Sequence, residues 1–438
     1  MTTDSEHPSR EGNHSSQTGS DNSPDTQGEK KRSAGYGAVF AVREFRAMFA
    51  AHVLSMLGTM FCEVALAVMV FRQTGSALLT ALVFALTTLP YALSGLLLSG
   101  ITDRAPARRV LVTCDLLSAS CVALMVIPNM PIAALLVLRM GVSIISPLFT
   151  GTRGASLSEI LDGDLYVLGR SLISTVSQTS QIIGFGVAGL VVAWLTPRQT
   201  LYITVCTFLC SALLLRFGTL PRPARDTRGA ALMRESLGAS GRLLSQPRIR
   251  ALLLMWWVPP MFFGVAEGVA VPFAAEAGAG SVGYGIFLAA MPAGTVVGQM
   301  AAGSLLGPEA RDRITLPLAA VALLPMLAFF VHPPLPLAVG LLVLTGLCGA
   351  YALGMDRWFV QAVPLDMRGR AMTLLGTGLM TLQGVGLTAG GAVAEVVPPY
   401  AVVGGGGLVG TAGVFMVLRS VRRTGITREA AAATGEPA

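Results

Sequence analysis

Long apolar segments alternate with short polar turns along most of the chain, from Phe45 to Leu418. About 20 predominantly apolar residues are enough to cross the hydrocarbon core of a bilayer. The pattern therefore predicts an all-α polytopic membrane protein with twelve transmembrane helices. The predicted spans are residues 46–71, 78–101, 110–128, 132–157, 168–195, 199–218, 249–273, 282–306, 314–331, 337–363, 371–397 and 401–418.

Composition agrees with a membrane protein. Charged residues make up 13% of the chain and hydrophobic residues 53%, whereas soluble proteins carry about twice that charge. The six cysteines all fall within apolar segments and are expected to be small packing residues without disulfides. Residues 1–37 are polar and lack the apolar core of a signal peptide, so we expect a disordered tail.

The distribution of Lys and Arg predicts the orientation in the membrane. If the N-terminus is cytoplasmic, 26 of the 31 Lys and Arg residues lie on the cytoplasmic side. Positive residues are concentrated on that side of membrane proteins. Both termini are therefore expected in the cytoplasm, and the high pI of about 9.4 reflects topology rather than nucleic-acid binding.

Residue types recur at a nearly constant offset, which indicates an internal repeat. Two arginines in predicted spans four and ten are each followed nine residues later by an aspartate. The recurring pairs, 202 to 205 positions apart, are Arg109 with Arg313, Arg153 with Arg357, Asp162 with Asp366, Gly75 with Gly280, and Gln181 with Gln383. We therefore predict two pseudo-symmetric six-helix bundles.

The repeat also predicts the domain boundaries. One six-helix half covers residues 38–220 and the other covers 249–420, with a short cytoplasmic tail over 421–438. The arginine-rich cytoplasmic linker 221–248 joins them. Part of this linker is either a basic helix lying on the membrane surface or a solvated connector.

The turn Ser99–Arg109, with the sequence SGITDRAPARR, lies between the second and third predicted spans. Its Asp103-Arg104 pair followed by Arg108 and Arg109 resembles the G-x-L-A-D-R-x-G-R-R loop of the major facilitator superfamily. The sequence of this turn is similar to that of the twelve-helix, macrolide-efflux type of drug exporter in actinobacteria. The resemblance implies the major facilitator fold and small-molecule transport, and it fits a role in antibiotic resistance.

The charged residues of this turn have two interpretations. They can form a cytoplasmic cluster that holds the halves together in one transport state, or the arginines can simply fix the topology. Residues expected in the cluster are Asp103, Arg104, Arg108, Arg109, Asp115, Arg153, Asp162, Arg357, Asp366 and Arg370.

Glycine-rich elements occupy matching places in the fifth and eleventh predicted spans. They resemble the G-P-x-x-G-G element of the family's exporters, although the proline is absent from both. Glycine lets helix backbones approach closely. The glycines expected at helix contacts are Gly184, Gly189, Gly386, Gly390 and Gly391.

Ionisable residues within the spans are the main candidates for coupling. A charge in the hydrocarbon costs at least ~2.5 kcal/mol, and a carboxyl removed from water holds its proton more tightly. We therefore consider Glu63, Glu267 and Asp356 as proton carriers. The alternative is that they form structural ion pairs with Arg139 or Arg357.

A few large side chains are candidates for a substrate cavity. Arg139 resembles the arginine that the family carries in its fourth span. Aromatic side chains near the membrane centre suit a bulky lipophilic cargo, whereas tryptophans at span ends are often interfacial anchors. The cavity candidates are Arg139, Trp256, Trp257, Phe262 and Trp358.

Together these features predict a monomeric, multi-pass transporter of the cell membrane rather than an enzyme. The expected activity is proton-coupled efflux of a drug-like or natural-product molecule by alternating access. Import, or export of a metabolite or siderophore, is the alternative, and a membrane enzyme or scaffold is a remote one. The expected partners are the small-molecule substrate, protons and the lipid bilayer, and we expect no cofactor, metal or nucleic acid.

Overall fold

A computed structural model describes residues 36–104, 106–161, 164–222, 241–364 and 367–423. These residues form helices joined by short turns, with no β-strand among them. The helices are α1 (Tyr36–Ala41), α2 (Arg43–Thr74), α3 (Ala77–Arg104), α4 (Ala107–Met125), α5 (Ile132–Ile160), α6 (Asp164–Trp194), α7 (Pro197–Gly218), α8 (Pro247–Gly268), α9 (Ala270–Glu276), α10 (Gly280–Leu305), α11 (Pro308–Val321), α12 (Leu324–Leu327), α13 (Leu335–Leu347), α14 (Tyr351–Ala362), α15 (Arg368–Val393) and α16 (Pro399–Arg423).

Each of the twelve predicted spans coincides with one helix or one set of consecutive helices. Within the described residues, nine helical segments are long and apolar enough to cross a membrane. The other three predicted spans correspond to α3, α4 and α15. Of these, α4 is more polar because Arg108, Arg109 and Asp115 lie within its 19 residues. The all-α polytopic fold is confirmed.

Three spans predicted as continuous helices are broken. The seventh changes direction at Val269, between α8 and α9. The ninth passes from α11 through α12 into a 3₁₀ turn at Ala328–Val331, and Pro325 near this break has no N–H to give to the helix. The tenth contains a 3₁₀ turn at Cys348–Ala350.

The two halves meet along two helix pairs that are related by the repeat. The second helix of the N-terminal half, α3, packs on α15, and α6 packs on α10. We name the membrane face near α1 and the end of α16 the terminal face, and the other the opposite face. The tails and linker residues 223–240 lie outside the described residues.

Glycines set the distance between these helices. A Cβ placed on Gly189 of α6 would lie 2.7 Å from the carbonyl oxygen of Ser281 and 2.9 Å from Cα of Gly285 on α10. Gly391 of α15 has the matching role, because it lies against Ala81 of α3. Both contacts are near the opposite face, so they join the halves there.

The remaining predicted glycines pack within each half. Gly184 lies against Met60 of α2, and Gly386 lies against the backbone of Met261 on α8. A Cβ on Gly390 would lie 2.9 Å from the carbonyl oxygen of Val265. Because 184 and 386 are matching positions of the repeat, the two halves use the same close contact between their first and fifth spans.

The turns that precede α3 and α10 also match. Gly75 has φ of 65° and Gly280 has φ of 59°, which is left-handed backbone that favours glycine. The N–H of Gly75 donates to the carbonyl of Phe71 and ends α2. The recurrence of Gly75 and Gly280 in the sequence therefore corresponds to a shared turn geometry.

Candidate functional site

A buried ion pair lies in the N-terminal half where α2, α3 and α5 meet. Oε1 of Glu63 is 4.0 Å from Nη2 of Arg139, and the two side chains are 6% and 1% exposed. Thr87 connects them, since its hydroxyl donates to Oε1 of Glu63 at 3.0 Å and accepts a hydrogen bond from Arg139. The sequence singled out Glu63 and Arg139 but missed Thr87.

The C-terminal half contributes a second carboxylate. Glu267 lies at the end of α8, and Nε2 of Gln383 on α15 donates to its Oε2 at 3.3 Å. Glu267 is within electrostatic range of Glu63. Two acidic side chains, one from each half, therefore belong to one cluster between the halves.

Tyr284 of α10 completes this cluster. Its side chain is buried, and its hydroxyl has no hydrogen-bond partner among the described residues. The hydroxyl lies within electrostatic range of both Glu63 and Glu267. Its ring packs edge-on against Phe84 of α3, with ring centroids 6.4 Å apart. An isolated tyrosine gave no signal in the sequence, so it was missed.

Close helix packing holds Glu267 in place. A Cβ on Gly264 would lie 2.7 Å from the carbonyl oxygen of Gln383, and one on Gly268 would lie 2.6 Å from that of Leu387. Helices α8 and α15 therefore approach closely on both sides of Glu267. This approach brings the amide of Gln383 within reach of the carboxylate.

Asp356, the third proposed proton carrier, is in a different environment. Its side chain on α14 is exposed. The neighbouring Arg357 forms an ion pair with Asp312 of α11, with Nη1 and Oδ2 2.9 Å apart. The structure therefore does not bring Asp356 together with Glu63 and Glu267, and it identifies Asp312 as an ion-pair partner that the sequence reasoning missed.

Several members of the predicted cytoplasmic cluster lie near the terminal face. Arg108 donates to the backbone carbonyl of Thr219 at 3.3 Å, and Arg109 is exposed. Arg370 is partly buried near the start of α15. Asp162, Asp366 and the side chains of Asp103 and Arg104 lie outside the described residues, so the complete cluster stays a prediction.

Arg153 lies deeper, among α2, α5 and α6. It is hydrogen-bonded to Nδ1 of His52, and Nε2 of His52 lies 2.9 Å from Oγ of Ser177. The guanidinium is also 6.0 Å from the ring centroid of Phe149. These contacts tie three helices of one half together, which is a structural role.

Asp115 was expected in the arginine cluster, and the structure places it elsewhere. It is 2% exposed in the interior of the N-terminal half, where Ser211 and Ser55 donate to its carboxylate at 2.5 Å and 3.4 Å. The reason is geometric, because Asp115 lies almost two turns along α4 from Arg108 and faces α2 and α7.

The aromatic cavity candidates mostly pack inside the C-terminal half. The indole N–H of Trp257 donates to the carbonyl of Leu375 on α15 at 3.0 Å. Phe262 lies against Gly410 of α16. Trp358 is buried and Trp256 is partly buried against the same core. Their contacts are those of core residues, and Arg139 is the cavity candidate that belongs to the central cluster.

Two contacts outside the membrane core were not expected from the sequence. Near the terminal face, Arg222 forms a bidentate pair with Glu44, at 2.6 and 2.8 Å. Near the opposite face, Oε1 of Glu395 accepts from the hydroxyl of Ser76 at 2.6 Å and from the N–H of Leu78 at 2.8 Å. Glu395 thus caps α3 from the other half of the molecule.

The central cluster has the chemistry of a proton-dependent switch. A buried carboxylate beside an arginine is stabilised while it is ionised, and protonation removes that attraction. A second carboxylate, Glu267, and the phenol of Tyr284 are within electrostatic range of Glu63. The cluster contains side chains of both halves.

Comparison with known proteins identifies the family. Residues 48–331 match the Major Facilitator Superfamily. The chain belongs to this superfamily. Membership confirms the predicted fold and makes the protein a multi-pass membrane transporter of small molecules rather than an enzyme.

Two curated relatives are similar in sequence. The multidrug efflux pump Tap of Mycolicibacterium fortuitum is 25% identical over 343 residues, covering 75% of this chain and 83% of the pump. The uncharacterized MFS-type transporter YfmI of Bacillus subtilis (strain 168) is 31% identical over 110 residues, covering 24% of this chain and 27% of that protein.

Solved transporters share the fold. A POT family transporter in complex with a thioalcohol-conjugated peptide has a TM-score of 0.67 at 10% identity, covering 87% of this chain and 96% of that chain. A bacterial homologue of the human lysosomal transporter Spinster, in an inward-facing and unoccupied conformation, has a TM-score of 0.61 at 14% identity, covering 89% and 97%. At such identities the likeness shows the fold alone.

Proposed function

We propose that this transporter exports drug-like or natural-product molecules in exchange for protons, with both termini in the cytoplasm. The observation that supports it most is the buried Glu63–Arg139 pair, placed within electrostatic range of Glu267 of the other half. The similarity to a multidrug efflux pump supports the direction of transport.

Glu63 is the proposed proton carrier because its contacts depend on its charge. When ionised, it pairs with Arg139 and accepts from Thr87. When protonated, it loses its attraction to Arg139 and can donate a hydrogen bond. The change of charge alters the contacts at the junction of the halves, which links proton binding to a change in access.

Glu267 and Tyr284 are proposed to complete the pathway. Two carboxylates close together in a low-dielectric interior do not readily ionise at the same time, so a proton on one of them is favoured. The buried hydroxyl of Tyr284 is within electrostatic range of both, and its role in this proposal is to donate to an ionised carboxylate once the halves shift. The proton shared among these groups is therefore the proposed link between the halves.

Everted membrane vesicles provide the first test. Vesicles that contain the wild-type protein and are energised by respiration should accumulate the lipophilic dye ethidium, and an uncoupler should abolish the accumulation. Glu63→Gln should lose the energised accumulation while still binding the dye. The matched control is Glu276→Gln, an exposed carboxylate on α9, which should transport normally.

Two outcomes would contradict the proposal. Accumulation that persists with the uncoupler removes proton coupling. Wild-type rates in Glu63→Gln remove that residue from the mechanism, whatever the coupling ion is.

A further inference from the structure

A second buried carboxylate lies inside the N-terminal half and is not part of the central cluster. Asp115 is 2% exposed, and its described partners are the hydroxyls of Ser55 and Ser211. No Arg, Lys or His among the described residues forms an ion pair with it. A carboxylate in this setting is strongly disfavoured unless a proton or a cation neutralises it.

A small cavity adjoins Asp115. Its volume is about 30 Å³, and one water molecule needs roughly 10–15 Å³ measured in this way. The cavity therefore has room for an ion or one or two waters, and no room for an organic substrate. Its oxygen-bearing lining residues are Ser55, Thr59, Asp115, Ser118 and Ser146.

Two of these hydroxyls are available to a ligand. Ser118 is 6% exposed, and its hydroxyl has no hydrogen-bond partner among the described residues. The hydroxyl of Ser146 on α5 also has no described partner, and its side chain is exposed. Ser118 is thus a buried group that lines the cavity, and Ser146 is an exposed one.

The lining favours a hard cation of single charge. Carboxylate and hydroxyl oxygens are ligands for hard cations, and one carboxylate neutralises one positive charge. A divalent ion would leave a net charge buried beside apolar residues such as Val142 and Phe208. We propose that this cavity binds one small monovalent cation, with Na⁺ as the expected ion.

The neighbouring ionisable groups are compatible with this site. Cys114 also lines the cavity, and a thiol is a poor ligand for Na⁺. Arg153 is not among the lining residues. It contacts the ring of Phe149, which does line the cavity, and it is hydrogen-bonded to His52. A cation at Asp115 would contact residues of α2, α4 and α5, so it would stabilise their packing.

The other half of the molecule lacks the site and provides an internal comparison. The positions 204 residues after Asp115 and Ser118 are Ala319 and Ala322, which are both fully buried. The C-terminal half therefore has no side-chain oxygen ligand at these two places. The proposed site belongs to the N-terminal half.

The test is thermal unfolding of the purified full-length protein in detergent, with choline replaced by Na⁺ at constant ionic strength. Na⁺ should raise the Tm of the wild type along a saturating curve, because it binds the folded state. Asp115→Asn should lose this response completely. Ser118→Ala should raise the half-maximal Na⁺ concentration by about tenfold, the effect of losing one modest ligand interaction.

Ser120→Ala is the matched control, because Ser120 lies on the same helix with its hydroxyl bonded to the carbonyl of Leu116. It should respond to Na⁺ as the wild type does. If Asp115→Asn does not fold, the difference between Ser118→Ala and Ser120→Ala still decides the question.

Two results would overturn the proposal. A wild-type Tm that is indifferent to Na⁺ would show that Asp115 is neutralised without a bound cation. An equal Na⁺ response in the wild type, Asp115→Asn and Ser118→Ala would place the ion elsewhere. Neither result depends on whether Glu63 couples transport to protons.

Discussion

The two halves share a fold but differ at the positions that carry charge. Glu63 and Glu267 are 204 residues apart and occupy matching places. Glu63 pairs with Arg139, whereas the position matching Arg139 is Val343, and the hydrogen-bond partner of Glu267 among the described residues is the neutral amide of Gln383. Protonation of Glu63 therefore breaks an ion pair, while protonation of Glu267 does not.

For the proposed switch, this difference assigns the charge-dependent contact to the N-terminal half. A carboxylate that pairs with an arginine when it is ionised, and loses this pair when it is protonated, has two distinct sets of contacts. A carboxylate beside an amide keeps similar contacts in both protonation states. In the proposed mechanism, the C-terminal half supplies Glu267 as a second acceptor.

The matching arginines show the same asymmetry of partners. Arg153 and Arg357 occupy equivalent positions, yet Arg153 contacts His52 and Arg357 pairs with Asp312. The residue that matches His52 is Trp256, and the one that matches Asp312 is Arg108. The repeat thus predicts where an arginine lies and does not predict what it binds.

The largest expected effect comes from removing the arginine that only one half has. Arg139→Met leaves Glu63 without its partner, and breaking a buried pair in this way costs about 3–5 kcal/mol. The variant should unfold at a clearly lower temperature in detergent and should not accumulate ethidium. Val343→Ile, at the matching position, adds one methylene to a partly exposed side chain and should cost about 1 kcal/mol, the low end of overpacking.

The double variant Glu63→Gln/Arg139→Met sharpens this comparison. Because it removes both charges, it should recover most of the lost stability and remain inactive in energised transport. Equal losses of stability in Arg139→Met and Val343→Ile would mean that the ion pair is not the special feature of the N-terminal half.

A smaller effect is expected where the halves touch near the opposite face. A leucine at Gly189 would clash with the backbone of α10, and overpacking of this kind costs about 1–3 kcal/mol. Gly189→Leu should favour separation of the halves there, which exposes Ala81 at the α3–α15 contact. The readout is the rate of thiol labelling of Ala81→Cys in a cysteine-free background.

Gly186→Leu is the control, since a Cβ at Gly186 meets nothing within 4 Å. It should label at the rate of the parent protein. If both leucine variants label equally fast, the α6–α10 contact does not control the separation of the halves.

The smallest expected effect concerns the cap that Glu395 of the C-terminal half places on α3. Hydrogen bonds from Ser76 and from the N–H of Leu78 hold the pKa of Glu395 below its usual range. A lowered pKa means that the cap is fully formed at pH values above the ordinary range of a glutamate, and it is lost as the pH falls through the lowered value. Acidification should therefore increase the labelling of Ala81→Cys relative to that of a fully exposed thiol at the same pH, a ratio that corrects for the falling thiolate fraction.

Glu395→Gln should raise that labelling rate at neutral pH by about fivefold, which corresponds to the ~1 kcal/mol typical of a lost N-cap. Its rate should also respond less to pH than that of the parent protein. Glu276→Gln, another exposed carboxylate, is the control and should keep the parental pH profile. A pH response that is unchanged in Glu395→Gln would assign it to another group.

The architecture was predictable because membrane crossing and the repeat both leave long-range patterns in the sequence. The spans, the two halves and the contacts of Gly189 and Gly391 follow from apolar length and from recurring positions. The breaks at Val269 and near Pro325 were missed because the apolar composition of a segment is the same whether its helix is continuous or interrupted.

Only the residues that are rare in apolar segments could be assigned to the site from the sequence. A carboxylate or an arginine in an apolar segment, such as Glu63 or Arg139, is conspicuous. Thr87, Gln383 and Tyr284 are ordinary residues of membrane helices, and their roles arise from neighbours that are distant in the sequence. Asp115 was assigned to the wrong group because proximity along α4 does not fix the direction in which a side chain points.

The most direct test of the central claim uses purified protein reconstituted into liposomes, where an imposed proton gradient is the energy source. The wild type should accumulate ethidium against its concentration gradient and stop when the proton gradient is collapsed. Glu63→Gln should equilibrate ethidium across the membrane without accumulating it. Proton-driven accumulation by Glu63→Gln at the wild-type rate would contradict the account.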